Sequence, residues 1–393
     1  MDSKRERNGS ARRKTRAGAL GAAALCAALL VLRAGSAAAD VALPPIGSLP
    51  PITVGVGLQT SAYSCSTGCI YSDGTVDPGK SSVQGFELDS IRLYVNGSVT
   101  DTIKLTFNTE YNGATNNVGV LDAIGRFEFS DQLNIWAGRF LPPSDRANLY
   151  GPYYANDWAP YADGVADFYP DVEVGRDNGI AYWGQFGILK VQVGAFDGES
   201  LNSAVADKSK MLAAGRLTLD FWDPEPGYYY NATYYGGKDL LAVGLAAQTQ
   251  DSKTAWSLDG LMEKKLPNFA VVTVEAEFQK DNGLVIPASN HGWYGLGSYL
   301  FAQQVGIGKF QVLGKYSQKT TDAYTTEIAT SVDGVTTEAL STSPQDKLKT
   351  AEFNLNYIIK TFNARVGFYY LNQKDDLADT SKKEYGLKLQ LQM

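Results

Sequence analysis

From residue 52 to residue 393 the chain falls into segments of about ten residues in which polar and apolar side chains alternate, and this period of two restricts the fold more than any other feature. Ile103, Leu105, Phe107, Thr109 and Tyr111 lie on one face of such a segment, with Lys104, Thr106, Asn108 and Glu110 on the other. Val272, Val274, Ala276 and Phe278 oppose Thr273, Glu275, Glu277 and Gln279. Phe353, Leu355, Tyr357 and Ile359 oppose Glu352, Asn354 and Asn356. Successive side chains of a strand point to opposite sides, so each segment reads as a strand with one greasy and one wet face. No stretch sustains a helical period. About sixteen segments are countable from 52–63 to 382–393, with the length and even number expected of tilted membrane strands. The predicted fold class is therefore all-β, an antiparallel transmembrane β-barrel of about 16 strands. A soluble sandwich also alternates, but an open sheet of this size exposes edges that barrel closure removes.

The connections support the count. Long ones fall at 64–84, 141–177, 198–208, 280–291, 319–347 and 374–381, and short turns separate them, as when the two kinds lie at opposite ends of a barrel. Trp222 to Lys238, rich in Pro, Gly and Tyr, breaks the pattern by being long where a short turn is due. The stretch from Leu141 to Arg176 opens on Pro142-Pro143 and interleaves Tyr150, Tyr153, Tyr154, Trp158 and Tyr161 with Asp145, Arg146, Asp157, Asp163, Asp167, Asp171 and Glu173. Structureless connections beyond about 12–15 residues are unusual unless they are functional. The stretch is predicted to fold into the lumen as a constriction loop. On a surface, its aromatics would require a partner to cover them.

Residues 1–39 read as a cleaved signal peptide. A basic region from Lys4 to Arg16 precedes an apolar run from Ala17 to Leu32, and Ser36-Ala37-Ala38-Ala39 supplies a cleavage site before Asp40. Residues 40–51 form a Pro-rich stub expected on the periplasmic side, and 52–393 the barrel domain. The formal charge is −7; removing the leader's net +6 leaves about −13, which argues against nucleic acid as a partner. Cys65 and Cys69 remain after cleavage, and in an oxidising envelope they most simply close a small loop disulfide. A metal site does not fit, since there is no second thiolate pair and His291 is the one histidine. No cofactor is expected.

The predicted lumen-facing charges are Arg92, Lys104, Arg126, Lys190, Arg216, Lys309, Lys315, Arg365 and Lys388. Against them stand Glu110, Asp122, Glu128, Glu275, Glu277 and Glu352, together with Asp220, Asp259, Glu263 and Glu384. Facing rings of opposite charge produce a transverse field that favours polar solutes; each residue also reads as a cross-strand pair that stiffens the wall. Enzymatic chemistry is not supported. His291 sits in a polar loop, and Gly295-Leu296-Gly297-Ser298-Tyr299 lacks the spacing of a nucleophile elbow.

Leu133-Asn134-Ile135-Trp136-Ala137-Gly138-Arg139-Phe140-Leu141-Pro142-Pro143 resembles the phosphate-selective porin O and P family, in which a Gly-x-Phe-x-Pro-Pro ending precedes a constriction loop. Gly175-Arg176-Asp177-Asn178-Gly179-Ile180 and Val193-Gly194-Ala195-Phe196-Asp197-Gly198 resemble two further strands of that family. The resemblance implies a sixteen-stranded barrel in the bacterial outer membrane, surrounded by lipid, trimeric, and passing small hydrophilic solutes or ions passively. The alternating last segment, Tyr385, Leu387, Leu389, Leu391 and Met393, is similar to the signal read by the barrel-assembly machinery. Phosphate-specific members line the constriction with basic residues, whereas here Arg146 stands alone against six acids between Leu141 and Gly175. That balance predicts weak cation preference or little selectivity. A phosphate- or anion-selective pore, a plugged structural or adhesive barrel, and an outer-membrane hydrolase are the alternatives.

Overall fold

The computed structural model describes residues 41–42, 51–66, 83–165, 175–198, 210–284, 288–332 and 335–393. The predicted leader, most of the stub, Cys69, Asp167, Asp171 and Glu173 lie outside them. Sixteen long antiparallel strands form the wall. In chain order they are β1 (Ile52–Ser66), β2 (Val83–Ser98), β3 (Ile103–Asn112), β4 (Asn117–Glu128), β5 (Asn134–Phe140), β6 (Asp177–Phe186), β7 (Leu189–Phe196) and β8 (Leu212–Asp220). After these come β9 (Leu240–Gln250), β10 (Lys253–Lys265), β11 (Val271–Asn282), β12 (Ser289–Val305), β13 (Gly308–Thr321), β14 (Asp346–Lys360), β15 (Ala364–Asp375) and β16 (Thr380–Gln392). Each strand pairs with its sequence neighbours, and β16 returns to β1 through pairs such as Leu391 with Leu58, so the sheet closes. Val41–Ala42 adds a short pairing onto β1.

Register places the two faces. One row across β8 to β12 runs Leu217, Leu245, Leu258, Phe278 and Trp293, each 36–48% exposed. The neighbouring row runs Thr218, Gly244, Asp259, Glu277 and Tyr294, whose side-chain-bearing polar members are at most 3% exposed. A shift of one residue thus exchanges an apolar outer surface for a polar interior, the arrangement of a barrel standing in lipid. No described helix is long and apolar enough to cross a membrane.

Two details differ from the sequence reading. The turn placed at Gln303–Val305 sits at Gly306-Ile307, because Gly306 (φ 62°) takes the left-handed conformation that a two-residue hairpin turn requires. Gly187 (φ 63°) does the same between β6 and β7. The long connection 319–347 contains a separate hairpin, Tyr324–Val332 paired with Val335–Ser343. Its Thr-rich segments flank Asp333-Gly334 in the sequence, a pair favoured at hairpin turns.

Leu245→Arg sets a charge in the middle of the outer row. The expected loss is about 2–4 kcal/mol of folding stability in lipid vesicles, read by denaturant titration; a loss below about 0.5 kcal/mol, typical of an innocuous surface change, would mean that this face does not meet lipid.

Candidate channel constriction

Pro142 and Pro143 have no N–H to give to a ladder, so β5 stops and the chain turns inward. Phe140 and Leu141 are buried, with the Phe140 ring 5.4 Å from Phe196 and 5.8 Å from Tyr228. Asp145 then caps a one-turn helix α1 (Arg146–Tyr150), accepting from the Asn148 N–H at 2.8 Å. All five helix residues are buried. Ala147, Leu149, Tyr150, Ala155 and Val165 join an apolar cluster with Trp136, Phe196 and Leu212 of the wall.

The loop is fastened around much of the ring. Ser144 O accepts from Arg216 on β8 at 3.1 Å, and the Arg146 N–H donates to Asp259 on β10 at 3.3 Å. Gln390 on β16 donates to Tyr153 O at 2.9 Å, and Tyr153 Oη lies 3.1 Å from Ser90 Oγ on β2. Asn156 bonds to Ser298 and Gln311, at 3.0 and 2.9 Å, on β12 and β13. Trp158 donates through its backbone to Glu352 (3.0 Å) and through its indole to Asn356 (2.7 Å), both on β14. Arg365 on β15 donates to Ala155 O at 2.7 Å while its guanidinium covers the Trp158 ring at 4.1 Å. Tyr161 donates to Ala147 O at 3.2 Å. The predicted loop residues from Asp145 to Asp163 therefore meet inside the barrel.

The wall charges also come together, largely as pairs. Arg92 holds Glu110 at 2.8 Å, Arg176 holds Asp122 at 3.3 Å, and Glu128 lies 2.8 Å from Lys104 and 3.7 Å from Arg126. Arg216 grips Asp259 with two bonds of 2.5 and 2.7 Å. Lys315 reaches Asp157 at 3.2 Å and Asp163 at 2.8 Å. Two of the acids expected to colour the pore are thus bound to one lysine and buried. Tyr294 Oη lies 2.9 Å from Glu275 and 3.3 Å from Glu277. Lys388 lies 3.4 Å from Trp158 O and 3.8 Å from Asp89, while Lys309 sits half-buried beside the β12–β13 turn. Cys65 is disulfide-bonded. His291 faces outward, opposite Lys280 and Thr320, and cannot serve a lumen nucleophile.

A second inserted segment meets the first. The connection between β8 and β9, flagged in the sequence only by its length, packs Glu225, Tyr228, Tyr230, Ala232 and Thr233 into the interior. It enters from the short-turn end, whereas the Leu141 loop enters from the other, and the two meet. Arg146 makes a two-bond pair with Glu225 at 2.8 and 2.6 Å and also donates to Asn231 O at 2.8 Å. Tyr228 donates to Leu141 O at 2.8 Å, and the Ala232 N–H to Tyr154 O at 3.0 Å. Tyr228 stacks on Trp136 at 4.6 Å. Arg146, Arg216 and Lys190 surround the Tyr230 ring at 5.0, 5.0 and 4.1 Å. Burial pushes the Glu225 carboxyl up, but Arg146 outweighs it and leaves the group below the ordinary carboxylate range. The sequence signal was the run Tyr228-Tyr229-Tyr230 on a connection too long for its place.

Beside these segments a cavity of about 370 Å³ stays open against β2, β3 and β4. Arg92, Arg126, Arg176, Asn108 and Asp122 edge it on one side, and Tyr150, Tyr154 and Tyr229 on the other.

No family model and no curated protein sequence matches the chain. Among solved structures, it is similar to the outer membrane channel DcaP of Acinetobacter baumannii, with a TM-score of 0.54 at 12% identity over 90% of this chain and 100% of that one. It is similar to OprB of Pseudomonas putida, with a TM-score of 0.54 at 10% identity over 87% and 94%. The anion-selective porin from Comamonas acidovorans gives 0.51 at 11% identity over 87% and 99%. What this likeness shows is the fold: the chain closes into the barrel used by outer-membrane porins.

Proposed function

We propose that the chain is a bacterial outer-membrane porin, a passive water-filled pathway for small hydrophilic solutes and ions. The observation that carries this reading is the open cavity of about 370 Å³ beside the two inserted segments, a space that a plug would fill. Export by a leader at residues 1–39 and assembly as a homotrimer belong to the same reading, supported by the signal pattern and the motif resemblance. Insertion by the barrel-assembly machinery is supported by β16, which alternates through Tyr385 to Leu391 and pairs along β1.

Of weak cation preference and little selectivity, the two outcomes expected from loop composition, we favour little selectivity. Asp157 and Asp163 are committed to Lys315, and the open passage is edged by Arg92, Arg126 and Arg176 against Asp122. Each of these arginines also has a carboxylate nearby: Glu110, Glu128 or Asp122. Charges so closely matched discriminate weakly, with a lean toward anions. A dedicated phosphate site, as the motif resemblance suggests, requires arginines released from their carboxylates, so the pairing favours a broad pathway.

Reconstituted in a planar bilayer, the protein is expected to give open-pore current and a small reversal potential on the anion side under a KCl gradient. Absence of current would instead make it a plugged barrel. Arg126→Gln is expected to shift that potential toward cations, while Asp157→Asn leaves it nearly unchanged; the opposite ranking would return the loop acids to the pore. Glu225→Gln strands Arg146, a loss of about 3–5 kcal/mol for a broken buried pair, and is expected to raise single-channel conductance as the second segment loosens. A folded variant with unaltered conductance would show that this segment does not narrow the passage.

A further inference from the structure

The arginines that edge the cavity of about 370 Å³ are not equally matched. Arg92 binds Glu110 through two nitrogens, at 2.8 and 3.3 Å, and Arg176 reaches Asp122 at 3.3 Å. Arg126 has no such partner. Its nearest carboxylate, Glu128, lies 3.7 Å away, too far for a hydrogen bond. That Glu128 oxygen already accepts from the Trp136 indole at 3.1 Å, and the other accepts from Lys104 at 2.8 Å. Two cations thus share one carboxylate, and Lys104 is the one that holds it. Arg126 Nε is out of contact with solvent and has no hydrogen-bond partner among the described residues. A positive charge is left in surplus at this point of the cavity edge.

Next to Arg126 the lining turns apolar. The Trp136 ring stands 5.8 Å from the Arg126 guanidinium, and Tyr229 meets that ring edge-on at 5.5 Å. Tyr229 is itself within electrostatic reach of Arg126. Leu141, Leu149 and Tyr154 line the same cavity.

This combination discriminates among solutes. Hydrogen phosphate would find one surplus charge where it needs more, and would set its oxygens against rings and leucines. A bare monoanion satisfies the guanidinium but leaves the apolar lining against water. A neutral aromatic solute covers that lining and leaves Arg126 unmatched. A solute with one carboxylate and an apolar body does both. The planar guanidinium donates to a carboxylate through two parallel hydrogen bonds, and aromatic rings pack edge or face against a neighbouring body.

We infer that this part of the cavity is a subsite for small organic monocarboxylates with an apolar body, in which Arg126 binds the carboxylate while Trp136 and Tyr229 pack against the body. The inference rests on the reading of the cavity as the passage of a porin, and names a solute class within it. One charge and a few rings hold a solute loosely, as passage requires, since a permeating solute must also leave.

Four probes test it: phenylacetate, phenylacetamide with the same ring and no charge, acetate with the charge and no ring, and hydrogen phosphate. Each is titrated calorimetrically into the detergent-solubilised full barrel, and each is added to single channels in a planar bilayer to read block of the KCl current. Saturable binding of phenylacetate, about threefold or more tighter than any other probe, is expected. Arg126→Gln is expected to weaken it about tenfold and to erase its advantage over phenylacetamide. Tyr229→Ser is expected to reduce the advantage over acetate instead; should that variant fail to fold, Arg126→Gln with the four probes decides. The inference is overturned by absence of saturable phenylacetate binding, by tighter binding of hydrogen phosphate, by equal binding of acetate or phenylacetamide, or by an affinity that Arg126→Gln leaves intact. Binding without any KCl current would overturn the porin reading and leave the subsite standing, whereas current without phenylacetate binding would do the reverse.

Discussion

Closure between β16 and β1 converts a local alternation of side chains into a division of solvents. On an open sheet, the polar face would meet bulk water and its charges would be screened. Inside a ring, the same residues face one another across a confined space bounded by a low-dielectric wall. Each inward carboxylate or guanidinium must then find a counter-charge, a hydrogen bond or water. The pairs Arg92 with Glu110 and Arg216 with Asp259 arise in this way from single strands that place a charge at an inward position. The apolar partner positions go outward, where Leu217, Leu245 and Leu258 form a continuous surface that only lipid covers without penalty.

That interior also explains why two chain segments fold into it. The Leu141 loop brings backbone carbonyls within reach of wall arginines: Ser144 O meets Arg216 and Ala155 O meets Arg365. The segment after β8 brings Glu225 to Arg146, a loop residue that otherwise would be a buried cation without a partner. Neither insertion stands alone. The Tyr228 ring rests on Trp136 of the wall while its hydroxyl holds Leu141 O, so aromatic packing and hydrogen bonding fix the same contact. Because the two segments come from opposite ends, movement of either one unpairs the other.

The strand layout was legible from sequence because period-two alternation and glycine turns are local signals. Glu110 and Lys104 could be assigned to the inner face from their neighbours alone, and the Pro142-Pro143 break marked where the wall gives way to the loop. Partnership was not legible. Nothing near Asp157 in the chain announces Lys315, which reaches it only because β13 comes round the ring to that height. Counting acids within the loop could not anticipate that Asp157 and Asp163 share one lysine. The Trp222 to Lys238 connection was visible as a misfit of length, but its inward course depends on Arg146, far away in the sequence. The hairpin at 324–343 was hidden for a different reason: its segments are rich in Thr and lie inside a connection, so the stretch read as one long loop.

The distribution of charge around the ring follows from these pairings. The inward positions of β10 and β11 carry Asp259, Glu263, Glu275, Glu277 and Asp281, whereas Arg92, Arg126 and Arg176 edge the cavity at β2 to β4 and the start of β6. The loop lies against the acidic side, with Asp259 accepting from Arg146 N–H, and covers it. The cavity is therefore edged by guanidinium groups and tyrosines, with the acids behind protein: Asp259 is paired with Arg216, while Glu263, Glu275 and Glu277 are held by hydrogen bonds. Coulomb interactions weaken with distance and with intervening water, so the arginines and their adjacent carboxylates Glu110, Glu128 and Asp122 set the field at the cavity more than the distant acids do. The net charge of the composition and the charges that edge the cavity thus differ, because the fold decides which of the described residues face it.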